Sequence, residues 1–203
     1  MIKTNYQLIC DKEIEELTCG GKTPKLLLHS CCGPCSSYVL EYLSKYFEIS
    51  LLFFNPNISP KTEYFKRLET QRQLISSMKF SNKVSMIESK YNHNDFLSAV
   101  SGYENEPEGG SRCELCFKIR LREAARIAKE MNFDCFTTTL SVSPHKNAAL
   151  LNDIGKKLSE EFDIKFLTAD FKKREGYKRS IILSKEHGLY RQEYCGCEFS
   201  FLK

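Results

Sequence analysis

Five short apolar runs punctuate the chain: 25–30 (KLLLHS), 48–54 (EISLLFF), 83–89 (KVSMIES), 134–141 (DCFTTTLS) and 164–170 (IKFLTAD). Each is short enough for a strand and too short for a buried helix. Between them lie segments of helical spacing at 36–47, 61–78, 112–131, 148–162 and 176–188. In the first, Val39, Tyr42, Leu43 and Tyr46 define an apolar face; in the second, Phe65, Leu68 and Ile75 do so. An amphipathic helix is expected over 4–19, stopped by Gly20, Gly21 and Pro24. The polar stretch that follows 83–89, with NEPEGGS at 105–111, reads as a loop. Strand and helix thus alternate about five times, which predicts an α/β fold with a mostly parallel five-stranded sheet flanked by helices. In such sheets ligands gather at the carboxyl ends of the strands. The unusual residues lie there, at 29–35, 55–60, 141–147 and 170–176.

A chain of 203 residues suits one domain. Residues 1–22 read as a helical extension of it and 189–203 as a cysteine-bearing tail. No run approaches the ~20 apolar residues that span a bilayer. The first residues lack a signal-peptide core, so a cytoplasmic protein without a membrane partner is expected. The net charge of +4 permits a nucleic-acid partner without requiring one. Lys and Arg concentrate at 116–129 and 172–180. Each stretch reads either as a solvated helix face or as a phosphate-contacting surface.

Ten cysteines in a reducing compartment point to metal or redox chemistry, because disulfides do not persist there. Seven form three close sets: Cys31, Cys32 and Cys35; Cys113 and Cys116; Cys195 and Cys197. C-x-x-C brings two sulfurs to one metal across a loop and a helix start, and Gly196 eases the same geometry for C-x-C. The tetrapeptide CGPC at 32–35 also resembles a thioredoxin motif. That enzyme needs only two cysteines, and this chain has no Trp to precede them. A structural zinc on Cys113, Cys116, Cys195 and Cys197 would leave three thiols together without a task. Seven sulfurs suit an iron–sulfur cluster plus a separately ligated metal. Cys135 reads as core packing, and Cys10 and Cys19 receive no role.

Arg120 shares a helix face with Cys113 and Cys116. It either pairs with a carboxylate or holds an anion. Arg112 is similar. His29, beside Cys31, is either a buried hydrogen-bonded histidine or a proton donor. Ser141, Ser143, His145, Lys146 and Asn147 cap the following helix or bind phosphate at its start. Tyr64, Tyr177 and Tyr190 flank polar loops and read as packing residues, phenol proton donors or base-stacking rings.

Together, LLLHSCCGPCSSYVLEYL, FFNPNISPKTEYFKRLETQ, GGSRCELCFKIRLREAA, FTTTLSVSPHKN and REGYKRSIILSKEHGLYRQEYCGCEFS resemble the epoxyqueuosine reductase QueH family over about residues 5–201. The resemblance implies a fold related to the adenine-nucleotide α-hydrolase (HUP) and PP-loop proteins, with cysteines in place of a phosphate loop. It implies reduction of the epoxide of epoxyqueuosine to the alkene of queuosine at the tRNA wobble position, without cobalamin. A [4Fe-4S] cluster and a mononuclear iron or zinc would be held by the seven clustered cysteines. Cys113, Cys116 and Cys195 are expected on the cluster, with Cys31 or Cys32 as fourth ligand. His29, Cys35, Arg120 and Tyr64 are the expected catalytic residues. The partners would be a tRNA anticodon stem-loop and an electron-donor protein or reductant. The alternative is a PP-loop enzyme that activates tRNA with ATP for thiolation. It would need a loop like S-G-G-x-D-S where this chain reads HSCCGPCSS.

Overall fold

The computed structural model describes residues 4–200. Five strands, β1 (Lys25–His29), β2 (Glu48–Phe53), β3 (Val84–Glu88), β4 (Cys135–Thr138) and β5 (Lys165–Phe166), form one sheet in the order β3-β2-β1-β4-β5. Every pairing is parallel. The helices are α1 (Tyr6–Leu17), α2 (Gly33–Leu43), α3 (Lys61–Ser77), α4 (His93–Ala99), α5 (Ser111–Glu130), α6 (Ala148–Phe162) and α7 (Gly176–Glu186). None is long and apolar enough to cross a membrane.

β1 lies at the centre and is apolar on both faces because helices cover both. Leu26 and Leu28 point to one side, against Cys10 and Ile14 of α1, Val39, Leu40 and Leu43 of α2, and Leu74 of α3. Leu27 points to the other, against Phe117 and Leu121 of α5 and Leu151, Ile154 and Leu158 of α6. Full burial of each leucine stabilises the fold by ~1.5–3 kcal/mol. β1 leads through α2 to β2 on one side of the sheet, while α5 enters β4 across the other. The chain therefore opens a crevice between the carboxyl ends of β1 and β4.

Several sequence expectations shift. The helix expected to start at 36 starts at Gly33, because Pro34 needs no hydrogen-bonded N–H in a first turn. Cys35 is therefore helical. The fourth strand stops at Thr138, and Thr139–Val142 form a 3-10 turn whose start is capped by the Thr138 side chain. The last strand is only two residues long, at the sheet edge. A helix, α4, stands where a loop was read; it is capped by Asn92 and buries only Phe96. On α3 the buried residues are Tyr64, Arg67, Leu68, Thr70, Gln71 and Leu74. Phe65, expected inside, is 48% exposed. Tyr46 is exposed too.

Gly155 of α6 faces the ring of Phe166. A Cβ there would lie 2.4 Å from that ring, so Gly155→Ala forces α6 away from β5. Such overpacking costs about 1–3 kcal/mol. Thermal unfolding should show a midpoint lower by about 2–4 °C per kcal/mol. An unchanged midpoint would contradict this packing.

Candidate metal centre at the carboxyl ends of the strands

β1 ends at His29, and Ser30, Cys31 and Cys32 carry the chain into α2. Cys32 is the extended residue at the N-terminal cap of α2. A helix N-terminus favours negative charge, so thiolates are stabilised here. The sulfurs of Cys31, Cys32 and Cys35 all lie within 4.8 Å of one another. Cys31 Sγ is 3.7 Å from Cys32 Sγ. A metal ion with ~2.3 Å metal–sulfur bonds places tetrahedral thiolates roughly 3.8 Å apart, so this edge fits a single ion. Among the described residues no other three cysteine, histidine or carboxylate ligand atoms come so close. Thr139 supports the corner, accepting the Cys31 N–H at 3.3 Å. Hydrogen bonds from Cys32 and Cys35 pull the Cys31 thiol well below its ordinary value. The hydrogen bonds with Cys31 in turn raise Cys32 to about 12 and push Cys35 upward. One thiolate thus forms readily, and two more need a cation among them.

The i, i+3 spacing puts Cys113 and Cys116 on one side of α5. Cys113 packs with Cys31 against the Leu27 side of the core, and its sulfur accepts the Gly109 N–H at 3.2 Å. Cys116 packs instead with Cys195, Cys197, Phe96 and Val100. Cys195 Sγ accepts the Cys197 N–H at 3.4 Å. The Cys197 thiol and Ser200 lower Cys195 to about 4, and Cys195 in turn raises Cys197. Burial raises Cys116; Lys146 works against this and also favours the Cys195 thiolate. Each thiol group therefore contains one ready thiolate, Cys31 in one and Cys195 in the other.

Arg120 lies between the two groups. It is 3% exposed. One guanidinium nitrogen donates to Asn55 Oδ1 at 2.6 Å, and another lies 4.0 Å from Cys116 Sγ. No carboxylate pairs with it among the described residues. Its Nε donates to His29 Nε2 at 3.4 Å. His29 is fully buried, with Nε2 3.1 Å from the Phe54 carbonyl and Nδ1 2.9 Å from Thr138 Oγ1. Nε2 serves one of these neighbours at a time: unprotonated it accepts the Arg120 N–H, and protonated it donates to the Phe54 carbonyl. Burial, and then Arg120, lower His29 to about 3, which keeps the ring neutral. Arg112 is a second buried guanidinium without a carboxylate partner among the described residues. It donates to the backbone carbonyls of Glu104 and Glu106, and its charge favours the Cys197 thiolate.

The tail closes over the corner, where Gln192 Nε2 donates to Cys32 Sγ at 2.9 Å. From α3, Gln71 Oε1 accepts hydroxyls of Ser30 and Ser36 at 2.7 and 3.0 Å, bracketing the triad. Gln71 Nε2, Gln192 Oε1 and Arg112 Nε are buried without a hydrogen-bond partner among the described residues. Buried orphans of this kind are few in proteins, and these flank the thiols. Arg67, Asn55, Gln71 and Gln192 lie within the stretches that carry the family resemblance, but residue type and spacing do not single them out. Asn55 falls in a turn-rich loop, and the others read as ordinary polar helix or tail residues.

Other expected residues lie apart. Tyr64 donates its hydroxyl to the Ser89 carbonyl at 3.1 Å and packs on Phe53 and Tyr91. Tyr190 donates to the Glu63 carboxylate. Asn147 caps α6, and Ser143 accepts the His145 N–H. Cys10 and Cys135 are core residues, and Cys19 is exposed. The two basic stretches carry many of their own counter-ions: Lys172 with Asp170, Arg174 with Asp11, Arg179 with Glu41, Arg122 with Glu161, Arg126 with Glu130, and Lys129 with Asp163.

A family model described as epoxyqueuosine reductase QueH matches residues 26–203. An epoxyqueuosine reductase QueH of Staphylococcus epidermidis is 42% identical, over 99% of this chain and 86% of its own length. That of Streptococcus pyogenes serotype M1 is 40% identical over 98% and 78%. That of Thermotoga maritima is 37% identical over 88% and 91%. The matched span contains all three cysteine sets, and on these grounds the chain belongs to the epoxyqueuosine reductase QueH family.

Proposed function

We propose that this protein reduces the epoxide of epoxyqueuosine in tRNA to the alkene of queuosine, in the cytoplasm, as one catalytic domain. Family membership supports the reaction. The observation that carries the chemistry is the convergence of Cys31, Cys32 and Cys35 within 4.8 Å at the β1–β4 crevice. The strand order agrees with kinship to HUP and PP-loop proteins. The ATP-dependent alternative is not favoured, because cysteines occupy the turn where a phosphate loop would lie.

Epoxide-to-alkene conversion consumes two electrons and two protons and releases water. Bound here, a [4Fe-4S] cluster would supply single electrons and a mononuclear iron or zinc a Lewis-acid position. The converging triad supports a site for one metal ion, and the remaining clustered thiols would hold the cluster. The 3.7 Å Cys31–Cys32 edge favours the triad on a single ion, leaving Cys113, Cys116, Cys195 and Cys197 for the cluster. This division differs from the expected one, in which Cys31 or Cys32 completes the cluster. Arg112 and Arg120 would offset the negative charge of so many thiolates. His29, neutral and tied to Phe54 and Thr138, would orient Arg120 rather than deliver a proton. Cys35 would act as a ligand, and Tyr64, bonded to the Ser89 carbonyl and packed on Phe53, would hold α3 against the sheet rather than act on substrate. The anticodon stem-loop would approach the carboxyl-end rim, where Lys146, Lys173 and Arg191 lack carboxylate partners among the described residues. A reductant or electron-donor protein would supply the electrons.

Anaerobic purification should yield iron and sulfide. With dithionite and tRNA carrying epoxyqueuosine, nucleoside mass spectrometry should show queuosine. Zinc alone, with no turnover after reconstitution, would refute the proposal.

A further inference from the structure

We infer that Arg67, held by Glu63, is the latch that seats the cysteine-bearing tail, making it a positioning residue for Cys195 and Cys197. The purpose of the latch rests on the metalloenzyme reading; its geometry does not.

Residues 189–197 contain no helix or strand, so their backbone groups must find partners elsewhere. Arg67, in the middle of α3, supplies them. It is 2% exposed, an unusual place for a guanidinium. Its Nε donates to Glu63 Oε1 at 2.7 Å. Its two terminal nitrogens donate to the carbonyls of Cys195 at 3.1 Å and Tyr194 at 3.3 Å. The guanidinium also lies over the Tyr194 ring at 4.9 Å. Glu63 balances the charge and takes the Tyr190 hydroxyl at 3.2 Å. One ion pair therefore holds the tail at residues 190, 194 and 195.

The loop after β2 completes the seat. Ser59 donates its N–H to the Gly196 carbonyl at 2.9 Å and accepts the Tyr194 hydroxyl at 2.9 Å. Gly196 has φ +103, and a Cβ there would sit 2.9 Å from Ile58 Cγ1 and 3.1 Å from Arg67. The backbone thus presses onto the guanidinium at the residue between Cys195 and Cys197. One turn along the same helix, Gln71 brackets the 31–35 corner. α3 is thereby the common reference for two cysteine sets that lie at opposite ends of the chain. Lysine cannot replace this fork, since one ammonium cannot span two carbonyls and a carboxylate in the same plane.

The test is thiol alkylation of the full-length chain, as isolated and after chelation, read by peptide mass spectrometry. In Arg67→Lys, N-ethylmaleimide should label Cys195 and Cys197 about tenfold faster than in the unsubstituted protein, from loss of charge-assisted bonds to the tail. Cys10 and Cys135, in the core, should stay protected. After reconstitution the variant should retain less iron, and its visible absorption should change. If Cys10 is labelled too, Arg67→Lys has loosened the whole fold, and Glu63→Gln decides, with the same selective labelling expected. Labelling of Cys195 at the unsubstituted rate in the variant that keeps Cys10 protected overturns the latch. Loss of reductase activity with unchanged labelling would count against the latch, and selective labelling in a protein without reductase activity would uphold it.

Discussion

Cys32→Ser should abolish epoxyqueuosine reduction and release metal from the triad. Cys32 sits at the cap of α2, its sulfur 3.7 Å from Cys31 and 2.9 Å from the Gln192 amide. A serine hydroxyl keeps the size but stays protonated, so it cannot replace a thiolate on a soft metal. Loss of a residue that only supports a metal ligand costs ~10–100-fold, and loss of the ligand itself should exceed ~100-fold. Cys19→Ser is the control: it is exposed and belongs to no cysteine group, so metal content and turnover should not change. Elemental analysis beside nucleoside mass spectrometry reads both quantities. A Cys32→Ser protein with full metal and full turnover would remove Cys32 from the site.

Arg120→Leu should make the bound redox centre harder to reduce while barely changing the stability of the metal-free chain. Two terms oppose each other in the metal-free protein. Removing an unpaired buried guanidinium relieves a desolvation cost, and such replacements often gain about 1–4 kcal/mol. Asn55 Oδ1 then loses its 2.6 Å donor, at about 1–3 kcal/mol. With metal bound the balance changes, because the cation lies 4.0 Å from Cys116 Sγ and stabilises added negative charge. A unit charge ~6 Å away at an effective dielectric of ~20 is worth roughly 3 kcal/mol. For a one-electron couple that is on the order of 100 mV. A potentiometric titration should find the midpoint lower by about that amount, and Arg120→Lys should fall between the two. A midpoint that does not move, or that rises, would show that Arg120 does not compensate the centre's charge.

The residues differ in how plainly they announced themselves. β1, α5 and α6 were readable because apolar periodicity reports burial directly, and Leu26, Leu27 and Leu28 had to be covered on both faces. α4 escaped because seven residues with a single buried Phe96 carry no periodicity. Arg67 escaped for a sharper reason. A charged residue on an amphipathic helix signals the solvent face, yet here the tail folds over it and turns that face inward. Leu74 is inside for the ordinary reason that it packs on the sheet beside Leu26 and Leu28, and Tyr64 because it packs on Phe53 and Tyr91.

The sequence by itself determined a parallel α/β sheet, a thiol-rich corner at the end of its first strand, and three cysteine sets too closely spaced to be incidental. Their spacing is a local property, fixed within a turn or a helical repeat. Which thiols meet was decided only by the tertiary structure. Cys31 and Cys113 both pack against the Leu27 core cluster, Cys116 shares a separate cluster with Cys195 and Cys197, and Gln192 reaches Cys32 across 160 positions. A parallel sheet delivers successive loops to the same end whatever their separation in the chain. Partners there are set by which strands are neighbours, not by which residues are near in sequence.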